Sequence, residues 1–158
     1  MRNVFLLLLV MMSSMSHALQ SVVVDGATVR VMPPTLTNTA GYLTLTNRGQ
    51  TTLSLVSASS SFAQKVEIHG HEMVDGVLRM FKKERVSISP GQQATFQPGG
   101  LHLMLFGINP HYRHTEQIDL QLTFSDGSVI KVDASVVGGE PNAHQQHKTH
   151  QHHHHQHE

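Results

Sequence analysis

Apolar and polar residues alternate in short bursts along most of this chain. In GLHLMLFG, residues 100–107, Leu101, Leu103 and Leu105 fall on one face of a strand, and His102 and Met104 fall on the other. Similar bursts predict strands at 22–24, 28–32, 42–46, 53–58, 66–71, 78–82, 86–88, 93–96, 102–106, 117–124 and 129–136. Turn residues separate them: Pro33-Pro34, Asn47-Arg48-Gly49, Asp75-Gly76, Pro90-Gly91, Pro98-Gly99-Gly100, Asn109-Pro110 and Asp126-Gly127. No helical stripe of useful length and no internal repeat interrupts this pattern. The expected fold class is all-β, an antiparallel sandwich or small barrel.

The two ends depart from the pattern. MRNVFLLLLVMMSSMSHA carries one positive charge at Arg2, an apolar run from Val4 to Met12 and a small-x-small close at Ser16-His17-Ala18. That is the anatomy of a secretory signal peptide, and the run is too short for a membrane anchor. Residues 138–158 hold eight histidines among Gln, Lys and Thr and almost no apolar side chains. Such a composition cannot bury enough surface to fold alone and is expected to be a disordered, metal-binding tail. The expected organisation is a signal at 1–18, a folded body at 19–137 and a tail at 138–158. The mature chain is expected to be exported to the periplasm, with no membrane span.

Composition narrows the chemistry. Losing Arg2 takes the eleven basic residues to ten against eleven acidic ones, a net charge near −1 with His neutral. A nucleic-acid partner would call for a basic patch, and none is visible. Cysteine is absent. Disulfide staples, thiolate metal ligands and thiol redox chemistry are therefore excluded, and a hydrophobic core must hold the fold.

Asp75-Gly76 between apolar residues is a strong hairpin signal. A two-residue turn there sets Val74 opposite Val77, Met73 opposite Leu78 and His71 opposite Met80, with His69 diagonal to Met80 on the same face. One ribbon face then carries His69, His71, Met73, Leu78 and Met80. If the strand bearing His102 and Met104 lies beside it, two imidazoles and two thioethers can converge. Thioether sulfur is soft and neutral, a poor ligand for Zn(II) or Mg(II) and a good one for Cu(I), while imidazole suits either copper state. Outside the cytoplasm, thioethers also avoid the disulfide oxidation that disables thiolates. A Cu(I) carrier fits these residues.

His69, ten residues, Met80, twenty-one residues, then His102-x-Met104 resembles the H-x10-M-x21-H-x-M pattern of the periplasmic copper chaperones called PCu(A)C. Ala40-Gly41-Tyr42, Val66-Glu67-Ile68-His69, Pro98-Gly99-Gly100-Leu101-His102-Leu103-Met104 and Leu122-Thr123-Phe124 with Asp126-Gly127-Ser128 resemble the same family. The resemblance covers about residues 20–137. It implies a cupredoxin-like β-barrel and Cu(I) ligation by His69, Met80, His102 and Met104. It also implies delivery toward the binuclear copper site of cytochrome c oxidase, through its subunit II or a Sco-type protein. Some members carry an extension that binds further copper as Cu(II); this tail, with His and no Met, fits that subset and equally suits Ni(II) or Zn(II). His71 and Met73 share the ribbon face but stand outside the motif.

Three other classes compete. An electron-transfer cupredoxin needs a Cys thiolate, which the chain lacks. A metal buffer or store would act mainly through the tail and would leave the four-residue spacing unexplained. A hydrolase finds no Ser/His/Asp arrangement or recurring carboxylate pair. The expectation is a carrier and not an enzyme.

Overall fold

A computed structural model describes residues 21–138, so the expected signal peptide at 1–18 and nearly all of the expected tail lie outside the described residues. Ten strands follow in chain order: β1 (Val22–Arg30), β2 (Thr39–Asn47), β3 (Leu53–Ser59), β4 (Lys65–Val74) and β5 (Val77–Lys82), then β6 (Val86–Ile88), β7 (Gln93–Phe96), β8 (His102–Phe106), β9 (Gln117–Phe124) and β10 (Val129–Val137). Strands β4, β8, β2, β1, β10, β9 and β3 are neighbours in that order, and β3 returns to β4 through Ala58 and Val66. The sheet therefore closes on itself. β5 extends β4 as an outer ribbon, while β6 and β7 attach to β3 and β2. Among the described residues no helix is long and apolar enough to cross a membrane.

The alternation seen in the sequence becomes the inside and outside of this barrel. Leu43 and Leu45 of β2, Leu103 and Leu105 of β8, and Ile118, Leu120, Leu122 and Phe124 of β9 are all buried in one core. Each such side chain contributes about 1.5–3 kcal/mol by leaving water, which is how a chain without disulfides holds together. Among the buried polar residues, Asn47 is fully enclosed. Asn47 donates through Nδ2 to the carbonyls of Thr51 and Ile88, both at 2.8 Å, and accepts from the Gly49 amide at 2.9 Å. Fully paired in this way, it ties the end of β2 to β6.

Three features depart from the expected elements. The separate strands at 22–24 and 28–32 are one strand, β1, whose register against β2 shifts between Asp25 and Thr28. Gly26 lies there at φ 60°, so the irregularity falls where a residue without Cβ can bend the strand. β1 and β10 pair in parallel, whereas the other strand pairs among the described residues are antiparallel. The polar loop at 109–114 contains a 3-10 turn, Pro110–His114, capped by Asn109. Its Tyr112 is fully buried, and the hydroxyl accepts the Met32 amide at 3.0 Å.

Candidate metal centre

The site is built by two neighbouring strands. β4 and β8 pair with Ile68 opposite Leu103 and His69 opposite His102. Ile68 and Leu103 point into the core, so the next pair, His69 and His102, must share the outer face. One step further along, Glu67 stands opposite Met104. On the other side of β4, the hairpin sets Val74 opposite Val77, Met73 opposite Leu78, His71 opposite Met80 and His69 opposite Lys82. Asp75 and Gly76 both have positive φ, 51° and 77°, the turn geometry whose twist matches a hairpin. His69 is therefore the centre of the face: His102 lies beside it, Met104 lies diagonal on one side, and Met80 lies diagonal on the other.

Facing outward does not leave the imidazoles in water. His69 is 8% exposed and His102 is 6% exposed, whereas Met104 is half-buried and Met80 is 48% exposed. The His69 ring lies 5.8 Å from that of His102 and 5.9 Å from that of Phe106. His71 joins the group, its ring 5.3 Å from that of His102. Its neighbour Met73 stands at the exposed end of the ribbon.

Hydrogen bonds assign the ring nitrogens. The Gly100 carbonyl can only accept, so Nδ1 of His102 (3.1 Å) and Nδ1 of His71 (3.3 Å) both donate to it. That leaves Nε2 of each neutral ring with a free lone pair. His69 has the opposite arrangement. Its Nε2 lies 2.9 Å from Oε2 of Glu67, while its Nδ1 is buried with no hydrogen-bond partner.

The charges favour neutral imidazole at His102. Burial, opposed by the bond to Gly100 and reinforced by His71 and His69, pushes its pKa below the ordinary 6.5. The Glu67 carboxyl is pulled down to about 2 by the hydrogen bond from His69 and then by Lys65, so it is an anion at any working pH. Lys65 Nζ sits 3.1 Å from Oε1 of Glu67, and Lys82 Nζ sits 3.6 Å from it.

Among the described residues, no three His, Cys, Asp or Glu side chains group closely enough to hold a metal ion by themselves. Other donors on this face include the thioethers of Met80 and Met104, diagonal to His69 on either side. Among the described residues, Nδ1 of His69 is the buried side-chain nitrogen left without a hydrogen-bond partner. Glu67 and the Gly100 carbonyl were not assigned roles from the sequence. The first was legible, because residues two apart on a strand share a face. The second is a backbone atom and leaves no trace in residue type.

Residues 22–136 match the family model described as "Putative lipoprotein LpqE-like". A curated relative from Leifsonia xyli subsp. xyli, described as "Putative lipoprotein Lxx21020", is 32% identical over 99 residues, which are 62% of this chain; the match spans 60% of that relative's length. Among solved structures, the copper-bound PCuAC domain from PmoF2 is 20% identical with a TM-score of 0.60, over 76% of this chain and 95% of that one. Apo-DR1885 from Deinococcus radiodurans is 31% identical with a TM-score of 0.58, over 75% of this chain and 80% of that one. The Cu(I) form of DR1885 is 28% identical with a TM-score of 0.54, over 77% of this chain and 80% of that one. The chain belongs to the LpqE-like family, and its barrel has the cupredoxin-like fold of the PCuAC domains.

Proposed function

We propose that this protein is an exported copper chaperone, a carrier and not an enzyme, that holds Cu(I) with His69, Met80, His102 and Met104. The observation that supports this most is the pair of buried imidazoles, one with an unpartnered nitrogen, on a face where two methionines stand diagonally to either side. The two thioethers suit a soft monovalent cation and are poor ligands for Zn(II) or Mg(II), while imidazole accepts either copper state. The copper-bound PmoF2 domain and the Cu(I) form of DR1885 share the fold and lend the reading further support.

The graded exposure of the donors suits delivery. Met80, on the outer ribbon, is the ligand that a recipient's side chain reaches first, and the two histidines are the last to let go. Stepwise replacement in that order moves the ion without releasing it to water. The recipient in this reading is the binuclear copper site of cytochrome c oxidase subunit II, reached directly or through a Sco-type protein in the periplasm. Residues 1–18 act as the signal, 19–137 as the copper-binding domain and 138–158 as a His-rich tail that gathers Cu(II) beside it.

X-ray absorption of the chain loaded with one equivalent of Cu(I) tests the reading. Sulfur and nitrogen neighbours in equal number are expected. A shell of nitrogen alone would assign the metal to the tail and make the protein a buffer or store.

A further inference from the structure

We infer that Glu67 is the positioning residue of this face, fixing His69 so that it meets metal through Nδ1 while His102 meets it through Nε2. The inference rests on the copper reading only for the identity of the ion; the orientation of the ring is a property of the chain itself.

A neutral imidazole carries one N–H and one lone pair, and whichever nitrogen donates a hydrogen bond cannot bind metal. Free in water, His69 would exchange between the two forms. Here the Glu67 carboxylate, two residues back on the same strand face, lies 2.9 Å from Nε2 and can only accept. Nε2 therefore keeps the proton. Lys65 and Lys82 hold Glu67 from its other oxygen, at 3.1 and 3.6 Å, so the acceptor is itself fixed in place. The lone pair is left on Nδ1, which is buried and lacks a partner. A buried unpaired nitrogen is costly, and a bound cation is the group that relieves it. His102 is fixed from the opposite side of its ring, because Nδ1 donates to Gly100 and Nε2 is left free.

His69 and His102 are directly opposed on adjacent strands, with ring centroids 5.8 Å apart and planes tilted by 56°. The anion adds a second effect. A carboxylate on the far nitrogen raises the basicity of the near one, as in carboxylate–histidine–metal triads.

The test is nitrogen-15 NMR of the imidazoles in the full-length, metal-free chain at about pH 8, where ordinary histidine is neutral. His69 is expected to carry its proton on Nε2 and His102 on Nδ1. In Glu67→Ala, His69 is expected to become a mixture of both forms, and Cu(I) affinity to fall roughly 10–100-fold. Glu67→Gln, whose side-chain carbonyl still accepts from Nε2, is expected to restore the single form and most of the affinity. Adding Cu(I) to the wild-type chain should shift Nδ1 of His69 and Nε2 of His102. A proton on Nδ1 of His69 in the wild-type chain would overturn the inference, as would an unchanged tautomer in Glu67→Ala. Failure of Cu(I) to bind while the tautomers are as expected would sink the copper reading and leave the positioning role standing.

Discussion

His102 shows how one side chain's surroundings set its chemistry. On an open strand face it would titrate near 6.5, yet here burial lowers its pKa and the Gly100 carbonyl holds its Nδ1 proton. Because the folded pKa lies below the unfolded one, the unfolded chain binds more protons in the window between them. Stability is then fully present above about 6.5 and is lost as pH falls through the folded value. Denaturant unfolding at a series of pH values should show this decline, and His102→Gln should flatten it. Cu(I) affinity should fall over the same acid range, since a protonated imidazole has no lone pair to offer and the thioethers do not titrate. Affinity that stays level well into acid would argue against imidazole ligation.

At the scale of elements, the ribbon of β4 and β5 depends on its turn. Every residue of β5 is exposed, so little core packing fixes the register of this strand. The turn at Asp75-Gly76 does, and a Cβ on Gly76 would touch nothing, which isolates the backbone effect of its φ of 77°. Gly76→Ala should cost about 1 kcal/mol, seen as faster hydrogen exchange confined to residues 71–80. Asn47 secures the opposite kind of element, a buried corner. Asn47→Ala removes its bonds to the Thr51 and Ile88 carbonyls and should lower stability by about 2 kcal/mol in denaturant unfolding. This contrast also explains what the sequence revealed. Strands with an inward face, such as β8 and β9, announce themselves by alternation, and the Asp75-Gly76 turn gave the His71–Met80 register. The parallel pairing of β1 with β10 and the side-by-side placement of β4 and β8 are contacts between distant segments, which alternation does not encode. Nor could the pattern foresee that histidines on an outer face would be buried.

At the scale of the molecule, the face that carries His69, His102 and Met104 is the outer surface of the core. Ile68, Leu103 and Leu105 point inward from the same strands that hold His69, His102 and Met104 outward. Leu103→Ala should therefore cost about 2–5 kcal/mol of stability and weaken Cu(I) binding by loosening β8 against β4. Binding and folding are linked in the reverse direction too, since an ion held only by the folded chain raises the unfolding temperature. The gain on adding one equivalent of Cu(I) should disappear in Met104→Ala. The measurement that bears most directly on the whole account is a competitive Cu(I) titration of the chain ending at Gly138, beside its Met80→Ala and Met104→Ala variants. One tight equivalent in the parent, weakened or lost in both variants, is the predicted result. No Cu(I) binding once the tail is removed would make the barrel a scaffold and the histidines beyond Pro141 the functional part.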